Sequence, residues 1–112
     1  MYKPSRLHSE FFIAGFKYYD GPFVLGKLKA GKKLDLVAEF DNPHDPDAVA
    51  IYRKGRKIGF VPRSMNGVIA QLIRFGHGDV FECRIMQVDK DAAPHSQVRV
   101  GVYVVDKTAT AE

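Results

Sequence analysis

The chain has 112 residues, 46% of them hydrophobic and 27% charged, with a formal net charge of +4. That length supports one domain around one core, and the composition excludes extended disorder. The positive balance points weakly to an anionic partner such as nucleic acid. Cys83 is the single cysteine, which excludes an internal disulfide and a Cys-x-x-Cys metal motif. The N-terminus carries no apolar leader core, and no uninterrupted apolar run approaches ~20 residues. The expected setting is soluble and cytoplasmic, with no membrane partner.

In chain order, residues 1–10 are polar and expected to be flexible. Residues 11–19 read as a strand from their aromatic and β-branched content, with Gly15 marking a bulge or a close backbone approach. Asp20-Gly21-Pro22 reads as a turn. Residues 23–32, punctuated by Gly26 and Gly31, give no clear period. Residues 34–40 and 48–53 read as strands, and Lys54-Gly55 predicts a hairpin to a strand over 56–61. Val68, Ile69, Leu72, Ile73 and Phe75 form the apolar stripe of one helix, with Ser64 as N-cap and Gly76 as the stop. Strands over 80–88 and 97–105 flank a loop at 89–96, and 106–112 is expected to be a flexible tail. The alternation around Cys83 turns it inward as a small hydrophobe. This pattern predicts a mainly β domain over 11–105. The architecture expected is a small OB-like or SH3-like β-barrel of about six strands with one main helix.

The densest chemistry lies between two of these strands. Asp41-Asn42-Pro43-His44-Asp45-Pro46-Asp47 holds three aspartates, an Asn, a His and two prolines. The prolines fix φ and remove backbone donors, so the loop is stiff. Its polar side chains can close Asx-turns or face a ligand. A metal reading would use Asp41, His44, Asp45 and Asp47 as hard ligands, although their spacing fits no calcium loop. A catalytic reading would make His44 a base oriented by Asp45, yet no nucleophile stands beside them.

Two further groups are basic or aromatic. Lys17-Tyr18-Tyr19 on a strand would turn one ring inward and leave the other as a stacking platform beside a phosphate-binding lysine. Alternatively, both rings serve packing. Lys54, Arg56, Lys57 and Arg63 follow the hairpin turn. Lys54 and Arg56 read as solvated, whereas Arg63 precedes the helix, where free N–H groups could help hold an anion. Lys27, Lys29, Lys32 and Lys33 read as a solubilising run that adds to non-specific DNA affinity. His8, His77 and His95 read as surface residues.

Three ordered pieces carry a family resemblance. They are Ala14-Gly15-Phe16-Lys17-Tyr18-Tyr19, the run from Leu34 through Asn42-Pro43-His44-Asp45-Pro46-Asp47-Ala48 to Ile51, and Lys57-Ile58-Gly59-Phe60-Val61-Pro62-Arg63. Together they resemble the HIRAN domain, a module of SWI2/SNF2-type DNA-repair ATPases that also occurs as small standalone bacterial proteins. The resemblance implies an OB-like barrel that binds the 3′ end of single-stranded DNA, including its free hydroxyl. It implies that Tyr18 and Tyr19 flank the terminal bases, that Asp45 accepts the 3′-hydroxyl with Asn42 in support, and that Lys17 and Arg63 meet phosphates. His44 stands where the family often has Tyr, Asp41 where Asn is frequent, and Phe60 where a polar residue can occur.

The expected function is therefore non-catalytic capture of single-stranded DNA in repair or replication-fork processing. No cofactor or metal is expected, and a helicase or nuclease acting in trans is a possible further partner. No Gly-x-x-x-x-Gly-Lys-Ser/Thr motif is present, so the chain is not itself the motor. The alternatives are a protein-interaction adaptor using Asn42-Pro43-His44-Asp45 and a metal-dependent hydrolase or nuclease on the aspartates. Sequence carries no signal for oligomeric state.

Overall fold

The structure, a computed structural model, describes residues 5–108. Residues 1–4 of the segment expected to be flexible, and 109–112 of the expected tail, lie outside it. Six strands form one antiparallel sheet: β1 (Leu7–Phe12), β2 (Lys33–Ala38), β3 (Val49–Arg53), β4 (Arg56–Phe60), β5 (Phe81–Val88) and β6 (Val98–Val104). Their order across the sheet is β1-β6-β5-β2-β3-β4. Two helices join them, α1 (Gly21–Val24) and α2 (Gly67–Arg74). The fold is the expected mainly β class, a curled six-stranded sheet with short helices.

Curling brings the two ends of the sheet together. Ala14, just past β1, bridges Phe60 of β4 through two backbone bonds: Ala14 N–H to Phe60 O at 2.9 Å and Phe60 N–H to Ala14 O at 2.8 Å. Gly59 makes this approach possible. Its φ is 147°, and a Cβ there would lie 2.5 Å from the Ala14 carbonyl oxygen. Only glycine has neither the steric bar at that φ nor the atom that would collide.

Inside the curl, alternation fills the core. Cys83 and Ile85 on β5 point inward, as do Val98, Val100 and Val102 on β6. Ile51 and Ile58 meet them from the hairpin, and Ile69 and Ala70 from α2. Burial, with a smaller effect of Asp35, pushes the Cys83 thiol up to about 12. A thiol held protonated in this way is inert.

Several boundaries differ from the sequence pattern. β1 begins at Leu7, inside the polar segment, because backbone pairing with β6 matches Leu7 to Tyr103 and Glu10 to Gly101. The predicted strand over 11–19 stops at Phe12. Gly15 adopts the left-handed conformation at φ 70°, and Phe16–Tyr18 coil into a 3-10 turn. Phe16 is buried there, with Gly21 packed under its ring. Asp20-Gly21-Pro22 opens α1 instead of forming a free turn, with Pro22 in the first helical turn, where its missing N–H is harmless.

The hairpin turn is as read, with Lys54 at φ 50° and Gly55 at φ 81°. Positive φ at both central residues is the twist-matched geometry for two-residue hairpins. The helix start is one motif later than Ser64, which lies in a 3-10 turn at Arg63–Met65. Asn66 is the residue before α2, and its side chain does not cap the helix. Gly76, at φ 89°, closes the C-terminus as expected. Among the described residues no helix is long and apolar enough to cross a membrane.

Candidate nucleic-acid interface

The polar loop between β2 and β3 is organised by Asn42. Its Oδ1 accepts the backbone N–H of His44 at 2.8 Å and of Asp45 at 3.1 Å, an Asx-turn that uses the side chain as a surrogate carbonyl. Asp45 repeats the device one turn on, with Oδ1 accepting the Asp47 N–H at 2.9 Å. The other carboxylate oxygen of Asp45 accepts from Asn66 Nδ2 at 2.8 Å and lies 3.8 Å from Arg63 Nε. The Asp47 N–H and then the Asn66 amide hold the Asp45 carboxyl below the usual carboxylate range against an opposing effect of desolvation, with Arg63 adding a smaller lowering. It is an ionised acceptor at neutral pH.

The loop is braced from both sides. Arg63 donates to the His44 carbonyl at 3.2 Å, yet its side chain is 77% exposed, so most of its guanidinium edge faces solvent. On the other flank, Arg74 of α2 donates to the Pro46 carbonyl at 3.1 Å, sits 3.7 Å from Asp47 and stacks 4.8 Å over the Phe40 ring. Among the described residues no group of three His, Cys, Asp or Glu side chains converges to hold a metal ion. Asp45 and Asp47 are turned to these nitrogen donors instead.

An aromatic platform adjoins the loop through two residues absent from the sequence-based site. Glu39 Oε1 accepts from Asn42 Nδ2 at 3.2 Å, and its Oε2 accepts from Lys57 Nζ at 2.6 Å. Lys57 Nζ in turn sits 4.8 Å from the Tyr19 ring centroid and 4.3 Å from that of Phe60. The two rings meet edge to face at 5.4 Å. A continuous chain of contacts thus runs Tyr19–Phe60–Lys57–Glu39–Asn42–Asp45–Asn66, with Arg63 at its exposed end.

The expected site residues therefore divide. Tyr19, Asn42, His44, Asp45, Phe60 and Arg63 belong to this chain of contacts. Lys17 and Tyr18 do not: among the described residues, no hydrogen bond, ion pair or ring contact links either to residues 39–45. Lys17 Nζ lies 5.4 Å from the Tyr18 ring, and both line a separate cleft of about 220 Å³ with Pro94 and His95. Tyr18 is 76% exposed. The two tyrosines diverge because they sit at the end of a 3-10 turn, not on opposite faces of a strand. Arg63 also differs from expectation, aiming back at the loop from its 3-10 turn instead of forward onto a helix N-terminus.

Glu39, Lys57 and Asn66 complete the site. Asn66 gave one sequence signal, a polar residue immediately before an apolar helical stripe. It is the one polar residue among the buried ones described, at 4% exposure. A buried amide must find partners, and its partner is Asp45.

This arrangement defines a class of protein: a β-domain that offers aromatic faces, a fixed ionised acceptor and an exposed guanidinium on one surface. A family model described as HIRAN domain matches residues 7–106, and the chain belongs to that family, whose members are nucleic-acid-binding modules. The crystal structure of the HIRAN domain of human HLTF superposes with a TM-score of 0.61 at 13% identity, covering 88% of this chain and 76% of that one. The crystal structure of a protein from Lactobacillus plantarum gives a TM-score of 0.65 at 18% identity, covering 89% and 97%. Both likenesses are of fold. No curated protein matches the chain in sequence.

Proposed function

We propose that this HIRAN domain is a non-catalytic module that captures single-stranded DNA at a free 3′-hydroxyl end. The role would lie in DNA repair or replication-fork processing, serving a helicase or nuclease in trans. The observation that carries the reading is the Asp45 carboxylate. It is ionised, fixed by the Asp47 N–H and Asn66, and joined through Asn42 and Glu39 to the Tyr19–Phe60–Lys57 platform. An ionised carboxylate has about four lone-pair positions, and these two short bonds leave room for one more donor. A sugar hydroxyl is such a donor, whereas a phosphate in its place would be repelled.

The neighbours fit the rest of a DNA end. Tyr19 and the exposed Tyr18 offer ring faces, each worth ~1–3 kcal/mol per stacked base. The open guanidinium edge of Arg63 suits a phosphate next to the terminal sugar. Lys17 offers a further cation beside Tyr18 in their separate cleft, and His44 forms an exposed wall between Asn42 and Asp45.

The test is fluorescence anisotropy with matched oligonucleotides ending in 3′-hydroxyl, in 3′-phosphate, or with no free 3′ end. The wild type should prefer the hydroxyl, and Asp45→Ala should abolish that preference while a melting curve reports a folded domain. Arg63→Ala should weaken all three alike and flatten the salt dependence. Equal affinity of the wild-type chain for all three ends would sink the reading.

A further inference from the structure

A second cationic surface lies beyond the end-capture site. Lys27, Lys29 and Lys32, from the stretch between α1 and β2, converge with Arg53, Lys54 and Arg56 of the β3–β4 hairpin. Together they line one groove of about 470 Å³. The two segments are far apart in sequence, so the groove exists only in the fold. Among the described residues no acidic side chain lines it. The side chains of Lys27, Lys29, Lys32 and Lys54 have no hydrogen-bond or ion-pair partner among the described residues. Arg53 donates to the Lys33 carbonyl at 3.2 Å, and Arg56 bonds Asp20 Oδ2 at 3.1 Å. Asp20 offsets Arg56, but the other five like charges are mutually repulsive, and a polyanion is the ligand that relieves this.

The groove borders the first site. Arg56 and Lys57 are neighbours on β4. Lys57 turns to Tyr19 and Phe60, while Arg56 turns to the groove. Asp20 joins the two regions: it follows Tyr19, donates its N–H to the Lys57 carbonyl at 2.9 Å, and accepts from Arg56. The two surfaces differ in one decisive respect. The end-capture site combines cations with aromatic rings, as single-strand sites do. Among the described residues the groove is lined by cations and no aromatic ring, so it offers no stacking face to an unstacked base. It suits a backbone whose bases are already stacked and paired, where a phosphate charge falls every ~1.7 Å of helix axis.

We propose that this groove binds the phosphate backbone of duplex DNA, so that the domain sits across a junction between a duplex and a single-stranded 3′ end. The proposal rests on the end-capture reading only in placing a captured end beside the duplex; duplex binding by the groove stands without it.

The test compares the wild type with Lys27→Gln/Lys29→Gln/Lys32→Gln. Three substrates are used: a 3′-hydroxyl single strand, a duplex bearing that strand as an overhang, and a blunt duplex ending in 3′-phosphates. All three lysines are exposed, so a folded variant is expected, and melting curves verify it. The wild type should bind the overhang duplex about tenfold or more tighter than the single strand at low salt. The variant should lose that gain while keeping its single-strand affinity. Its salt slope on the blunt duplex should fall by about 2–3, near 0.9 per lost contact. The Lys→Arg triple variant should restore both.

Equal weakening on the single strand and the overhang duplex would assign the groove to the single strand and overturn the proposal. So would unchanged duplex binding by the variant, or inorganic polyphosphate competing as well as duplex at matched charge. The blunt duplex keeps the two readings separable. If end preference is missing but the variant still loses blunt-duplex binding, the end-capture reading fails and the groove stands.

Discussion

Lys57 Nζ sits 4.3 Å from the centroid of the Phe60 ring, although the two residues are three apart on one strand. Strand alternation would send them to opposite faces. The β3–β4 register explains the exception. Ile51 pairs with Gly59 and the next residue, Tyr52, pairs with Lys57, so Ile58 is an extra residue on β4. The bulge shifts the alternation by one and puts Lys57 on the face of Phe60 and Tyr19, which bulges commonly do beside functional sites. The ammonium is then shared between two ring faces and Glu39, and one change removes all three. Lys57→Met should lower single-strand affinity severalfold. A double-mutant cycle with Glu39→Gln should return a coupling of about 1 kcal/mol by thermal or urea unfolding.

Asn66 is expected to control the loop without touching the solvent-exposed surface itself. Its amide donates to Asp45 Oδ2 at 2.8 Å from a nearly closed position. Asn66→Ala leaves one oxygen of that carboxylate with only the long Arg63 contact. Stability should fall by about 1–3 kcal/mol, the range for a partner lost from a buried bond. The Asp45 carboxyl should titrate higher than in the wild type, which NMR of the side-chain carboxyl can follow. Selectivity for the 3′-hydroxyl should decline along with it.

Asp45 also sets part of the acid limb. Its carboxyl titrates below the ordinary aspartate range, chiefly through the Asp47 N–H and Asn66. Asp79, bonded to Lys107 Nζ at 2.8 Å, is depressed in the same direction. A carboxyl whose folded pKa is depressed adds stability above its unfolded pKa, and that stability is lost as pH falls through the folded value. Urea midpoints should therefore be flat from neutral pH down to about 4 for these groups and fall below it. In Asp45→Asn that fall should be shallower. An unaltered acid limb in that variant would remove Asp45 from the account.

Gly59 and Gly67 should respond oppositely to alanine. At Gly59 a Cβ would meet Ile13 Cγ2 at 2.4 Å and the Ala14 carbonyl oxygen at 2.5 Å, on a φ of 147°. Backbone cannot swing aside as a side chain does, so Gly59→Ala should destabilise by about 2–4 kcal/mol. Gly67 opens α2 with nothing within 4 Å of the added carbon. Gly67→Ala should stabilise by a few tenths to about 1 kcal/mol. Thermal melts of the pair check both signs.

Cys83 should be silent toward thiol reagents in the native state. Burial removes access and pushes its pKa up to about 12. Labelling by an aromatic disulfide reagent at pH 8 should proceed only as fast as the domain opens, and should become immediate in denaturant.

Local chemistry was legible in the sequence where it was decided locally. The Asn42 and Asp45 turns follow from short side chains that reach their own backbone, the Lys54-Gly55 turn from two residues that had to take positive φ, and the inward Cys83 from alternation. What escaped was set by distant partners. Tyr18 and Tyr19 looked like strand residues because aromatic content favours strands, yet Gly15 and the burial of Phe16 bend that segment into a 3-10 turn. Lys57 joined the site only through a bulge at Ile58. Asn66 could not be assigned to Asp45 because the two lie 21 residues apart, with a strand hairpin between them. The basic groove was half visible, as a lysine run whose other wall comes from a hairpin read as solvated.

The segment that carries Lys17, Tyr18 and Tyr19 also lies along the outer margin of β4. Ala14 exchanges two backbone bonds with Phe60, and the Asp20 N–H reaches the Lys57 carbonyl. Were that segment displaced, β4 would present unpaired amides and carbonyls flanked by aromatic rings, a ready template for another chain to zip onto. The segment that carries the platform therefore also covers part of the β4 edge. A bulky replacement at Gly15, where φ is 70° and the Tyr19 ring lies 3.3 Å from the site of a Cβ, should produce oligomers as well as weaker DNA binding.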